Sequence, residues 1–244
     1  MIANLRNFGK DERCFIVGNG ASLNVTPLEL LRDDGVTTKE YTFATNMISL
    51  MFGSTAWRPT YMVLTTTALD DPQYQETILK GIRESEWAFI WDRFKDDLAV
   101  NMFENITWIP VIHDGPVTLA EARNSFWPKD ISKGVSKFAT TTFAALQIAV
   151  YMGFNPIYLV GVDMDWKPFK GGDTNHFHPD YNSRSLTKEK YASITKAQTK
   201  AYRIALAGAK KAGVEIFDAT IDGKLDVFEK VDYRSLFKVS KRKR

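Results

Sequence analysis

One cysteine in 244 residues excludes an internal disulfide, and the neighbours of Cys14, namely Phe15, Ile16 and Val17, make it a buried strand residue, not a reactive thiol. A reducing, cytoplasmic setting is the expectation. The three histidines, His113, His176 and His178, are too few and too badly spaced for an all-histidine zinc site, which removes the commonest metal-hydrolase readings. No apolar run approaches the roughly 18 residues of a membrane span. The opening segment carries Arg6, Lys10, Asp11, Glu12 and Arg13 and lacks the apolar core of a signal peptide.

An excess of one charge is missing too. Lys and Arg number 32 against 29 Asp and Glu, a net charge of +3, and Lys238, Lys241, Arg242, Lys243 and Arg244 stand together without an acid. The body is therefore close to neutral, which argues against nucleic acid as a partner. Residues 238–244 read as a frayed basic tail whose natural contact is a peripheral, salt-sensitive one with an anionic membrane surface.

With 44% hydrophobic and 25% charged residues the chain is an ordinary globular one, without repeats or low-complexity segments. Short apolar runs at 14–17, 42–44, 61–64, 88–91, 107–111, 157–162 and 214–217 predict strands, several without alternation, as in parallel strands covered on both faces. Helices are predicted over 27–32, 71–84, 140–152 and 186–212; in the third, Phe143, Leu146, Ala149 and Val150 share one face. Alternating strands and helices predict an α/β, Rossmann-like, mostly parallel doubly wound sheet. A single domain over 1–237 is expected, with a small insertion over 114–137 covering the site. Ligands of such sheets lie beyond the carboxyl ends of the strands.

At the first of these ends stands Gly18-Asn19-Gly20-Ala21-Ser22. Glycines admit close backbone approach, Ser22 offers a hydroxyl, and free amides there favour a phosphate. The spacing is neither that of a dinucleotide fingerprint nor that of a P-loop, and a tight turn without ligand is the plain alternative. Asn46 follows the second strand and Thr65 the third, where polar side chains suit a base, ribose or sugar hydroxyl; singly, each reads first as a cap or turn residue, and their shared position at strand ends favours a ligand. Behind the apolar strand from Ile157 come Asp163 and Asp165. An Asp-x-Asp at a strand end can hold magnesium or manganese against a diphosphate, and a solvated turn is its bland counterpart. His176 and His178 lie in the polar loop 171–181, away from any apolar face. A histidine there can deprotonate a hydroxyl, and His176 ranks ahead of His178. His113, beside Asp114-Gly115-Pro116, reads as a surface-turn residue. Of the six tryptophans most read as core, Trp166 excepted.

The ordered set Phe15-Ile-Val-Gly-Asn-Gly-Ala-Ser-Leu23, Thr45-Asn46, Thr140 to Phe154, Ile157-Tyr-Leu-Val-Gly-Val-Asp163, Asn175-His-Phe177, Asp218-Ala-Thr220 and Gly223 to Phe228 resembles a Rossmann-like superfamily. Its members include the bacterial lipooligosaccharide sialyltransferases, the motility-accessory-factor proteins linked to flagellin glycosylation and archaeal-type 6-hydroxymethylpterin diphosphokinase. The resemblance implies a nucleotide-sugar-dependent, sialyltransferase-like glycosyltransferase of surface-glycan or lipopolysaccharide synthesis, with a nucleotide sugar as donor and a small-molecule or glycan acceptor. Asn19, Gly20 and Ser22 would lie at the phosphates, Asn46 at the nucleotide or donor sugar, Thr141 at the nucleotide, and His176 or His178 would be general base. Asp165 stands where the sialyltransferases have a tyrosine supporting the leaving phosphate, and an aspartate there repels a phosphate unless a cation intervenes. The alternatives are diphosphate transfer from a nucleoside triphosphate to a pterin-like alcohol, and a nucleotide-binding protein without turnover. No organic cofactor is expected.

Overall fold

The computed structural model describes residues 2–32, 40–113, 127–128, 130–182 and 184–237. Its centre is a wholly parallel eight-stranded sheet in the order β10-β9-β8-β1-β2-β3-β4-β5. The strands are β1 (Cys14–Val17), β2 (Tyr41–Thr45), β3 (Tyr61–Leu64), β4 (Trp87–Trp91), β5 (Ile106–Ile109), β8 (Ile157–Val160), β9 (Ile216–Asp218) and β10 (Glu229–Lys230). β6 (Val111–His113) and β7 (Val135–Ser136) pair separately as a parallel ribbon. The chain winds outward from β1 to β5, then crosses back to lay β8 on the other side of β1. The winding reverses between β1 and β8, where Cys14 lies opposite Ile157 and Val17 opposite Val160.

β1 has no polar side chain because both its faces are covered. Cys14 and Ile16 face the helices α3 (Thr141–Tyr151) and α4 (Lys188–Lys211), while Phe15 and Val17 face α1 (Pro72–Arg83) and the short turns around it. Burial pushes the Cys14 thiol well above its ordinary range, in keeping with a packing role. α1 starts where Asp71 accepts from the Gln73 amide at 3.0 Å, ahead of Pro72. A fourth helix, α2 (Leu98–Asn101), is a single turn.

Several expectations needed correction. Instead of a helix over 27–32 there is one 3-10 turn, Leu28–Leu31, because Pro27 lacks an amide hydrogen and leaves Thr26 extended. α3 is not one-sided: every residue from Thr141 to Ala149 is buried, since the helix lies between the sheet and α4. The strand expected over 107–111 breaks at Pro110, whose carbonyl accepts from Val135 at 2.9 Å and so starts the β6–β7 ribbon. His113 closes β6, not a turn, and 114–116 lie outside the described residues. β8 ends at Val160, two residues early, because Gly161 turns into the left-handed region at φ +68°. Trp87 is exposed and bonds Thr107, whereas Trp57 is fully buried. Most of the insertion expected over 114–137, and the tail 238–244, fall outside the described residues; 131–137 supply a 3-10 turn and β7. No helix among the described residues is long and apolar enough to cross a membrane.

Candidate active site

A cavity of about 650 Å³ opens beyond the carboxyl ends of β1, β2, β3 and β8. It therefore straddles the point where the winding reverses, the position ligands take in open α/β sheets. Three groups of residues build it.

The first is the junction of β1 and β8. Gly18 and Gly20 are required here by the close approach of the two loops. A Cβ on Gly18 would stand 2.4 Å from the Gly161 carbonyl oxygen, and one on Gly20 would stand 2.2 Å from Oδ1 of Asp163. The amides of Gly18 and Gly20 donate to Val160 and Gly161 at 2.7 and 2.8 Å. Ser22 donates its amide at 2.8 Å and its hydroxyl at 2.5 Å to the Asp163 carboxylate. A phosphate was expected along the turn Gly18 to Ser22, through its glycines, its free amides and the Ser22 hydroxyl; the amides of Gly18, Gly20 and Ser22 are taken up within the protein, closing one loop onto the other.

This also decides what Asp163 does. Burial raises its carboxyl above the usual range, opposed by the two Ser22 bonds. Asp165 is exposed on the rim of the cavity, with Lys167 at 3.6 Å. Among the described residues no group of three His, Cys, Asp or Glu side chains converges on a metal position. Asp163 is committed to Ser22 and Asp165 stands exposed beside Lys167, so a cation held by the pair would draw its remaining ligands from a bound phosphate or water.

The second group is a floor of polar side chains at successive strand ends. Asn19 is buried and donates from Nδ2 to the carbonyl and hydroxyl of Thr45 at 3.1 and 2.9 Å. Its Oδ1 is buried without a hydrogen-bond partner, as is that of Asn46. Asn46 itself is left-handed at φ +55°, a conformation asparagine tolerates better than most residues. Thr65 reaches Thr141 at 3.4 Å between hydroxyls. Thr141 opens α3, capped by the Thr140 side chain, so the positive end of that helix faces the cavity. Asn19, Asn46, Thr65 and Thr141 are thus brought together. Orphan acceptors are rare in folded proteins and are expected to meet a ligand or water.

The third group is the loop between β8 and α4. The described residues of 161–187 form no helix or strand of their own, a length that usually marks a functional loop. It is stapled to β1 by a backbone bridge between Gly20 and His176 and by the Phe177 amide on the Asn19 carbonyl at 3.1 Å. Asn175 braces it from inside, its side chain accepting from the Lys167 amide and donating to the Lys167 carbonyl, both at 2.9 Å. These contacts hold His176 on the cavity wall. Its Nδ1 lies 2.7 Å from Oδ2 of Asp173, whose side chain is wholly buried. Burial alone would raise the Asp173 carboxyl, but bonds from His176, the Asn175 amide and Asn182 outweigh it and hold it below the usual range. The imidazole stacks on Tyr181 at 3.9 Å with the rings nearly parallel, and Trp166 stands edge-on at 5.2 Å. His178 is off the cavity, its Nδ1 turned to the Asp180 amide at 3.2 Å.

Asp173 is the residue the sequence reading passed over. It lies three before His176, a spacing that was visible, but in a loop of Gly, Asp and Asn nothing in the pattern separates a buried acid from a solvated one. Tyr181, Tyr191 and Gln198 were missed as well, because their places depend on how the long loop and α4 fold over the strand ends.

No family model matches the sequence, and no curated protein matches it. Solved structures do. A Maf glycosyltransferase from Magnetospirillum magneticum AMB-1 superposes with a TM-score of 0.55 at 13% identity over 96% of this chain; the chain spans 38% of that protein's length. The Campylobacter jejuni sialyltransferase CstII, in complex with the substrate analogue CMP-3FNeuAc, matches with a TM-score of 0.50 at 13% identity, covering 90% of this chain and 86% of that one. A variant of CST-II in complex with CMP gives 0.51 at the same identity. The chain has the fold of these proteins, and the Rossmann-like expectation holds.

Proposed function

We propose that the protein is a nucleotide-sugar-dependent glycosyltransferase whose general base is His176. The observation that carries this reading is the Asp173–His176 pair, fixed on the wall of a cavity whose floor holds unpaired asparagine oxygens and a helix N-terminus. An ionised Asp173 accepts a hydrogen bond, so it selects the tautomer with the proton on Nδ1 and leaves Nε2 with a lone pair. The nucleotide lies across Asn19, Asn46 and Thr65, where its N–H and O–H groups satisfy the orphan oxygens. Its phosphate sits at the start of α3. In the transfer, Nε2 takes the proton of the acceptor hydroxyl as the oxygen bonds to the anomeric carbon. The bond from that carbon to the phosphate oxygen breaks, and the nucleotide leaves with the electron pair.

Support from fold comes from the CstII complexes with CMP and a CMP-sugar analogue, which make a cytidine monophosphate sugar the first donor to try. The step is written without a metal, and titration with and without magnesium tests whether Asp163 and Asp165, which both line the cavity, hold one. A role in surface-glycan synthesis is the setting proposed for this activity. Calorimetric titration with CMP, UDP, GDP and ATP, each with and without magnesium, tests it. Metal-independent binding of CMP, and CMP-sialate turnover lost in His176→Ala, are expected. Binding of ATP alone, with magnesium, would instead establish the diphosphate-transfer alternative.

A further inference from the structure

A second cavity, of about 1210 Å³, lies at the other end of the sheet from the active site. Lys10, Asn155 and Val214 on its lining stand just before β1, β8 and β9, so it opens at the amino ends of the strands. The turns before β1, the end of α3 and the second half of α4 build it. The turns are fastened to α3 by the Asn7 and Gly9 amides, which donate to the Tyr151 and Met152 carbonyls at 3.2 and 2.7 Å. Clefts that take small organic molecules are of this order of size.

Its charge is one-sided. Arg6 and Lys10 of the turns and Lys200, Arg203 and Lys211 of α4 line it, with Asp11 the one acid among the described lining residues. Asp130, exposed, lies within the field of Arg6. Lys200, Arg203, Ala207 and Lys211 recur at three- and four-residue spacing, which sets them on one face of α4, and no acid occurs between Glu189 and Glu215. Basic residues in a last helical turn offset its carboxyl end, which accounts for Lys211. It does not account for Arg203 and Lys200, about two and three turns earlier. Among the described residues none of these cationic side chains makes a hydrogen bond or an ion pair. Like charges gathered at one cavity favour an anionic ligand.

The rest of the lining is mostly apolar. Val150 and Tyr151 of α3, Ile204 of α4, Val214 and Trp127 supply it. Trp127 comes close to α4 because residue 208 has no side chain: a Cβ on Gly208 would stand 2.4 Å from the indole. A base or sugar would need neutral polar partners, and two of the three amide side chains on the lining are taken. Gln147 is bonded to Ser136 and Phe143, and Asn155 to Gly213 and Glu215. Cations with an apolar surface between them suit a ligand that is anionic at one end and aliphatic at the other.

We propose that this cavity binds a lipid phosphate, with the phosphate monoester among the cations of α4 and the turns and the acyl chains along Tyr151, Ile204 and Trp127. The site is independent of the glycosyltransferase reading, and its test is too. Dihexanoyl phosphatidic acid, kept below the concentration at which it aggregates, is titrated calorimetrically into the whole protein beside dihexanoyl phosphatidylcholine and glycerol 3-phosphate. It is expected to bind at least about tenfold more tightly than either, since one lacks the net charge and the other the chains. Arg203→Gln combined with Lys211→Gln, both at exposed positions, should weaken it about tenfold without lowering the melting temperature. Ala207→Glu, exposed on the same face, should do the same by placing an acid among the cations. Excess CMP should not displace the lipid. Equal binding of phosphatidylcholine, or of glycerol 3-phosphate, overturns the site, the second by making it one for free phosphate. Unchanged affinity in the charge variants overturns it as well, because the anion would then lie elsewhere, as on the basic residues 238–244. Displacement by CMP would move the lipid to the strand-end cavity and equally overturn it. Lipid binding by a protein that takes no nucleotide leaves this site as proposed and sinks the catalytic reading instead.

Discussion

The buried carboxylate of Asp173 lies 2.7 Å from Nδ1 of His176, three residues along the same loop. If its work is to hold the proton on Nδ1, the isosteric Asp173→Asn is the informative change. The amide can donate to Nδ1, which places the proton on Nε2 and removes the base without emptying the site. A fall in kcat of about 10² to 10⁴ with KM nearly unchanged is expected in CMP-sialate turnover, matched by His176→Ala. His178→Ala, off the cavity, leaves kcat within about twofold. Comparable losses in the two histidine variants would mean that the loop, not His176, is what matters.

The two buried acids affect stability with opposite signs. Asp173 has its carboxyl held below the usual range in the folded protein, although burial acts against this. Its ionisation therefore favours folding, fully above the unfolded-state value and less as pH falls through the folded one. Asp163 is raised, chiefly by burial, so its ionisation opposes folding once pH exceeds the raised value. Thermal unfolding of Asp173→Asn against wild type should show a gap that is widest near neutrality and closes below about pH 4. For Asp163→Asn the wild type gains on the variant as pH drops toward about 4. Parallel curves for either variant would contradict the shift assigned to that aspartate.

Gly20 and Asp163 should be coupled. The three nearest atoms to a Cβ on Gly20 all belong to the Asp163 carboxylate, the closest at 2.2 Å. Gly20→Ala alone is expected to cost about 1–3 kcal/mol as overpacking. In an Asp163→Ala background the same change should cost far less, which a double-mutant cycle by chemical denaturation reads directly. Additive losses would show that Gly20 is needed for some reason other than room for Asp163.

How much of this was readable beforehand depends on whether a feature is local. β1, β3 and α4 declare themselves because apolar runs and a capped, periodic helix are properties of adjacent residues. The gathering of Asn19, Asn46, Thr65 and Thr141 could also be anticipated, since position after a parallel strand is itself a spatial coordinate. The roles of Gly18, Gly20 and Ser22 could not. A Gly-x-Gly turn looks the same whether phosphate or another loop fills the space, and here Gly161 and Asp163, some 140 positions on by the Ser22–Asp163 separation, fill it. Nor could the different partners of Asp163 and Asp165 be read: two residues apart in sequence, one is bound by Ser22 and the other stands exposed beside Lys167.

If Asn19 meets a nucleotide through Oδ1, its loss should be felt more in binding than in folding. Asn19→Ala removes the two Nδ2 bonds to Thr45 but also removes a buried acceptor that has no partner in the free protein. The net destabilisation is expected to be only about 1 kcal/mol. The rise in melting temperature on adding saturating CMP should largely vanish, since that rise follows the affinity of the folded state. A variant with lowered stability and a full CMP shift would move Asn19 from the ligand to the scaffold.

The arm that carries Lys137 and Ala139 to the cavity is held by β6 on one side and by one buried side chain of α3 on the other. Gln147 of α3 accepts from the Ser136 amide at 2.9 Å and donates to the Ser136 and Phe143 carbonyls at 2.7 and 2.8 Å. Gln147→Leu keeps the volume but leaves both polar groups of Ser136 buried and unpaired, at about 1–3 kcal/mol for each. Gln147→Glu strips the donor yet keeps an acceptor for the Ser136 amide, so it should lose only part of this. Because Thr140 and Thr141 follow directly on this arm, the leucine variant should also bind CMP more weakly, whereas a destabilised variant with full CMP affinity would show that the start of α3 holds its place without β7.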